Sequence, residues 1–381
     1  MHYLDYAATT PVLPEVKDAM LSILEGEFGN PSSTHAFGRK AKEAVEDARD
    51  RVAAAIGASP SEVVFTGGGT EADNLALKGA AEKLRGSGRR VVITAFEHHA
   101  VLDSVDWLKR KGFEVTTVPV TRDGLVDPAT VVAAVDRATI LVSVMSVNNE
   151  IGTIQPMAEI VAAVRAANPN TVVHTDAVQA LGNVPVDVHA WGVDLAAFSA
   201  HKLGGPKGVG ALFVRSPVAV EPVIHGGGHE RGLRSGTLNV AGIAGFGIAA
   251  EIAAKEVYEK DERVRPLRDG LLEGIRRQVP DVVVNGTLDR RVPGNLNICI
   301  PYAEGEILLL LLDQAGIACS SGSACQSGAL DPSHVLLAIG TPRELAKGSL
   351  RFSLGRGSTR RDVDAALGAL PAAVAGARKV A

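Results

Sequence analysis

"ATILVSVMSV", residues 138–147, is an apolar run with no regular alternation of polar and apolar positions. A strand with one face in water alternates with period two, so a continuous run predicts a strand buried on both faces. That is the habit of a mostly parallel sheet covered by helices. Six further β-rich runs surround it, several of them equally continuous: "EVVFT" (62–66), "RVVITA" (90–95), "EVTTVPV" (114–120), "TVVHTD" (171–176), "LAAFSA" (195–200) and "GALFV" (210–214). Amphipathic stretches separate them, among them "RKAKEAVEDARDRVAAAIGA" (39–58), which closes on glycine as helices commonly do. The alternation predicts an α/β protein built on a seven-stranded sheet. A long helical stretch from about Ala241 to Gln278 then changes the pattern. After it come "NLNICI", a glycine–serine tract, "LRFSLG" and an alanine-rich helix. These predict a smaller α+β domain. The expected division is a large domain over residues 14–255 and a small one formed by residues 1–13 and 256–381.

A chain of 381 residues, 46% hydrophobic and 22% charged, has room for both cores. The net charge of −4 argues against a broad nucleic-acid or anionic-membrane surface. No secretory signal pattern opens the sequence, and no apolar run approaches a bilayer span. Three cysteines, Cys299, Cys319 and Cys325, cannot complete a disulfide framework and have no zinc-ligand spacing. A reducing, cytoplasmic setting is expected, in which a special cysteine is more often reactive than structural. Histidines 98, 99, 174 and 201 form no compact metal-ligand pattern, so no metal is expected.

Three segments carry candidate chemistry. In "VVFTGGGTEADNLALKGA" (63–80) a strand enters three glycines and a threonine, then a helix. Gly69 and Thr70 there read either as a tight turn or as a phosphate cradle at a helix start. In "VVHTDAVQALG" (172–182) Asp176 closes an apolar strand. It could cap a following turn or hold a protonated ring nitrogen, with Gln179 three residues further on. In "FSAHKLGGPKGVGALFV" (198–214) Lys202 stands between two apolar strands, flanked by Ser199 and His201. Such surroundings disfavour its charged form and suit a Schiff-base amine. A phosphate cradle, a carboxylate for a pyridinium and a lysine for an aldehyde together equip a pyridoxal 5'-phosphate site. The tract "ACSSGSACQSGALDPS" (318–333) has no apolar period and reads as a loop carrying Cys325.

These segments resemble the cysteine desulfurases of the NifS/IscS type, in the class V aminotransferase group with the type I pyridoxal-phosphate fold. The resemblance runs from "YLDYAATTP" (3–11) to "LRFSLGR" (350–356) through "GNPSSTHAFG", "EHHAVL", "VNNEIGTIQP", "GGGHERGLRSGTLN" and "SSGSAC". It implies that Lys202 forms the Schiff base and that Gly69, Thr70, Ser199 and His201 bind the cofactor phosphate. Thr237 would complete that site in a neighbouring subunit, which implies a homodimer. Asp176 would face the pyridinium nitrogen, Gln179 the ring hydroxyl, and His98 would stack on the ring and help move protons. Arg351, with Asn149 and Asn30, would hold the carboxylate of L-cysteine. Cys325 would be the nucleophile that takes the sulfur as a persulfide and passes it to an acceptor protein, a scaffold or thiolation partner. Cys299 and Cys319 would be structural. The Arg-x-Gly-x-x-Cys pattern of the SufS-like branch is absent, which points to the NifS/IscS-like branch. A selenocysteine lyase, or another lyase on the same fold, shares the cofactor apparatus and is the alternative.

Overall fold

The computed structural model describes residues 1–26, 28–321 and 331–379. The first half of the chain alternates helix and strand: α1 (Pro14–Gly26), α2 (Ala36–Ile56), β1 (Val63–Thr66), α3 (Gly69–Leu84), β2 (Arg90–Thr94), α4 (His99–Arg110), β3 (Glu114–Val118) and β4 (Thr139–Ser143). After these come α5 (Met157–Ala167), β5 (Val172–Asp176), β6 (Leu195–Ser199) and β7 (Gly210–Val214). The seven strands form one sheet in the order β1-β7-β6-β5-β4-β2-β3. All neighbours are parallel except β7, which runs antiparallel to both β1 and β6. The sheet predicted from the apolar runs is therefore present, with each strand within a few residues of its expected place.

Every residue of β4 is buried, and its neighbours in sequence face opposite cores. Val142 packs with Val92, Val173, Ala196 and Phe198 on one side, while Leu141 packs with Val91, Ile93 and Leu195 on the other. Burial on both faces explains the unbroken run of apolar residues, each large one contributing about 1.5–3 kcal/mol. Helix α2 ends where Gly57 adopts φ 69°, a left-handed cap that favours glycine.

The expected single helix over Ala241–Gln278 is two helices, α6 (Val240–Lys255) and α7 (Val257–Gln278), broken at Glu256. The reason is packing. Phe246, Ala249 and Ala250 of α6 belong to the core of the large sheet. Val264, Leu271 and Ile275 of α7 belong to a second core that also contains Leu4. That core lies on a three-stranded antiparallel sheet of β8 (Val283–Val284), β9 (Asn295–Cys299) and β10 (Ser349–Ser353), with helices α8 (Gly305–Gln314) and α9 (Arg360–Ala377). One continuous helix could not turn an apolar face to both. No helix among the described residues is long and apolar enough to cross a membrane.

The parallel strands fix where a site can form. Since β1 and β6 both oppose β7, the carboxyl ends of β1, β2, β4, β5 and β6 share one edge of the sheet. Thr70, His98, Asn149, Asp176 and Lys202 all follow or close those ends.

Candidate active site

Two cavities open beside this edge. One, of about 630 Å³, is lined by Gly67, Gly68, Gly69, Thr70, Ser199 and His201, together with Lys207 and Arg234. The start of α3 faces it, and its cap residue Gly68 supplies no side chain to the first amides. A Cβ on Gly69 would lie 2.6 Å from Val178 Cγ2 and 3.5 Å from Ser199 Cβ, so the cradle closes on backbone alone. Open amides at a helix start attract an anion, and Lys207 adds positive charge, while Arg234 is paired with Glu71, which also lines the cavity, at 3.0 Å. His201 is pushed down to about 4, chiefly by burial and further by the charges of Lys202 and Lys207. Its imidazole is thus neutral at pH 7 and its Nδ1 meets Thr9 Oγ1 at 3.1 Å. This is a donor set for a phosphate.

The second cavity, of about 430 Å³, is lined by Lys202, Gln179, Asn149, Ala7 and Asn295. Lys202 ends the short turn after β6, and its Nζ donates to Ala7 O at 2.7 Å and Ala8 O at 2.8 Å. Gln179 Nε2 donates to the same Ala7 carbonyl at 2.9 Å. Asp176 is buried at the end of β5, where Oδ1 accepts from Val178 N at 2.9 Å. Burial pushes its carboxyl up, while the neighbouring His98 and Lys202 charges draw it back down. A buried carboxyl whose ionised form is favoured by neighbouring positive charge is suited to hold one more cation, the protonated nitrogen of a ring. His98 caps α4, with Nδ1 accepting from Ala100 N at 3.1 Å.

Arg351 rises from β10 in the small sheet. Its Nη2 donates to Asp5 Oδ1 at 2.8 Å and its Nη1 to Asn149 O at 2.9 Å, while Nε is buried without a partner among the described residues. The Asn149 side chain also leaves a buried Oδ1 unpartnered. Asp176, His98 and Arg351 line neither cavity, but Asp176 is joined to His98 and Lys202 by charge and Arg351 to Asn149 by a hydrogen bond. Two further sequence candidates lie apart from this assembly. Asn30 is exposed, its side chain accepting from Ser32 N, and lines neither cavity. Thr237 is exposed and lines neither cavity. Cys325 lies outside the described residues. Cys299 is buried and Cys319 half-buried, and desolvation pushes their thiols up to about 11 and about 12, so neither is a ready thiolate.

Residues 5–10 are what the sequence reading left without a role. They form a strap across the site: Asp5 meets Arg351, Ala7 and Ala8 meet Lys202, and Thr10 Oγ1 donates to His201 O at 2.9 Å. Their motif "YLDYAATTP" was visible in the sequence, but motif alone does not say which distant side chains it touches. Lys207 and Arg234 were equally unassigned.

Phosphate donors, a buried carboxylate and a lysine at the edge of this sheet define a pyridoxal-phosphate enzyme of the type I fold, and the residues fit that cofactor. A family model described as aminotransferase class-V matches residues 2–366, and the chain belongs to that family. It is 48% identical to cysteine desulfurase IscS of Dictyoglomus turgidum over 97% of this chain and 93% of that protein. It is 53% identical to cysteine desulfurase IscS of Anaeromyxobacter dehalogenans, over 96% and 90% respectively. A solved NifS-like protein superposes with a TM-score of 0.93 at 40% identity, covering 98% of this chain and 100% of that one.

Proposed function

We propose that this chain is a pyridoxal-phosphate-dependent cysteine desulfurase, converting L-cysteine to L-alanine and keeping the sulfur as a persulfide on Cys325. The observation that carries the reading is that the strap ties an amine and a carboxylate clamp together. Lys202 Nζ rests on Ala7 and Ala8, and Arg351 rests on Asp5, two to three residues away. Residues 5–8 form a turn closed by Ala8 N donating to Asp5 O at 3.0 Å, which keeps its two ends within about 7 Å of each other. An amino acid can therefore offer its carboxylate to Arg351 while its α-carbon lies within reach of Lys202.

The bound cofactor supplies an aldehyde for the substrate amine and a ring that withdraws electrons from the α-carbon. The chain's own groups do the rest. Arg351 binds the carboxylate, with the Asn149 side chain beside it. With the cofactor bound, Asp176 would hold the ring nitrogen protonated, Gln179 would meet the ring hydroxyl, and His98 would stack on the ring and help move protons. Gly69, Thr70, Ser199 and His201 hold the phosphate. Lys202 would remove the α-proton. The Cys325 thiolate attacks the substrate sulfur: an S–S bond forms, the substrate C–S bond breaks, and the three-carbon product takes up protons to leave as alanine. L-Cysteine and one thiol thus become L-alanine and one persulfide, with atoms in balance.

The same reading makes the active form a homodimer in which Thr237, exposed here, completes the partner's phosphate site. Residues 14–255 are read as the cofactor-binding domain and residues 1–13 with 256–381 as the small one, a division supported by the break at Glu256 and the separate second core. The persulfide passes to an acceptor protein, and a reducing cytoplasm suits the free thiols of Cys299 and Cys319.

The test is the purified holoenzyme with L-cysteine and a reductant, measuring alanine and sulfide. Equal release of both, lost in Cys325→Ala, is expected. No alanine from the wild-type protein sinks the reading. Alanine release undiminished by Cys325→Ala would instead mark a lyase that bypasses this thiol.

A further inference from the structure

Arg351 is almost wholly buried, yet only the two ends of its guanidinium are satisfied. The backbone places them. The strap lies against β10, with Ser353 N donating to Leu4 O at 2.7 Å, Tyr6 N to Ser353 O at 3.1 Å and Ala7 N to Ser353 Oγ at 2.9 Å. Those bonds hold Asp5 beside Arg351, two residues from Ser353 on the same strand. The Asn149 carbonyl holds the other end. Between these two acceptors the planar fork has little freedom to turn. The unused group is Nε–H, which is buried and has no acceptor among the described residues. Native structures rarely leave such a donor unpaired, so the missing partner is an acceptor arriving from outside the chain.

Resting on the desulfurase reading, we propose that Asp5 is a positioning residue for the substrate carboxylate. Its Oδ1 locks Arg351 in the orientation that leaves Nε–H open, and it balances the buried guanidinium charge while no substrate is bound. The substrate carboxylate then completes the donor set, and Asp5 itself touches no reacting atom. The effect belongs to binding, and the chemical step is left alone.

The experiment compares Asp5→Ala and Asp5→Asn with wild type as holoenzymes. KM and kcat are measured for L-cysteine, and the Kd for L-alanine is read from the cofactor absorbance. Asp5→Ala frees the fork, so KM and the L-alanine Kd should both rise at least about fivefold while kcat stays within about threefold. Asp5→Asn keeps an acceptor oxygen at the same place, and both constants should stay within about threefold of wild type. If Asp5→Ala does not fold, Asp5→Ser is judged by the same thresholds. A smaller rise, a loss confined to kcat, or an equal weakening in Asp5→Asn overturns the proposal. The alanine titration needs no turnover, so a wild-type protein that binds L-alanine but makes none from L-cysteine loses the desulfurase reading without deciding the role of Asp5.

Discussion

Asp73 Oδ1 lies 3.4 Å from His174 Nε2, and both side chains are sealed from solvent. The other ring nitrogen of His174 meets Ser143 Oγ at 2.9 Å. Burial pushes the imidazole down to about 3 and the Asp73 carboxyl well up, so charge is disfavoured on both partners. Asp73 stands in the helix that begins at the phosphate cradle, and His174 stands two residues before Asp176. The two side chains thus lie in contact without a hydrogen bond between them, beneath the two ends of the proposed cofactor site. Asp73→Ala opens a cavity beside the sealed imidazole and should lower stability by about 1–3 kcal/mol, read from urea unfolding of the holoenzyme.

Glu97 predicts a dependence on pH. Burial raises its carboxyl from 4.5 to about 8, despite bonds from Thr94 Oγ1 and Met145 N that oppose the rise. Between those values the folded chain holds a proton that the unfolded chain has lost. Stability from this group is therefore greatest below pH 4.5 and declines as pH rises toward 8. His174 acts oppositely: its depressed value removes stability as pH falls from 6.5 toward about 3. Glu97→Gln should melt close to wild type near pH 5 and above it near pH 8, by an amount on the order of a few kcal/mol at most. Parallel melting curves at the two pH values would refute this.

Gly69 tests the cradle. Its absent Cβ would press within 2.6 Å of Val178 Cγ2, so either the Val178 side chain or the start of α3 would have to shift. Gly69→Ala should weaken retention of pyridoxal phosphate about tenfold or more, measured by equilibrium dialysis, while the folded protein keeps its helical circular dichroism.

The three thiols should separate cleanly. Cys319 is raised to about 12 by burial first and by Asp5 second, and Cys299 accepts a bond from Asn285 Nδ2 at 3.1 Å. Neither offers a thiolate at neutral pH. Cys299→Ala and Cys319→Ala should keep alanine release from L-cysteine within about threefold, whereas Cys325→Ala should lose it about a hundredfold or more. Amino-acid analysis of a timed reaction decides.

How much of this was legible beforehand differs from residue to residue. The seven strands were readable because burial on both faces leaves long apolar runs, and "ATILVSVMSV" is the plainest of them. Asp176 and Lys202 could be picked out because each sits at a strand end, and the sheet brings those ends to one edge. The break at Glu256 left no mark in the pattern, since both helices are individually good and only their separate cores force them apart. Lys207 and Arg234 were invisible as site residues because a cation in a glycine-rich turn looks the same whether it faces solvent or a phosphate.

The amino-acid sequence by itself determined the α/β class, the order of the elements and the chemical kind of each cofactor-facing side chain. Those follow from periodicity and from the few residue types able to serve a phosphate, a pyridinium and an aldehyde. Only the tertiary structure decided that Asp5 would meet Arg351, 346 residues away along the chain, and that Ala7 and Ala8 would receive Lys202. Those meetings arise because the strap adds to the small sheet while running past the edge of the large one. Such long-range pairing is set by how two cores pack, and no local pattern encodes it.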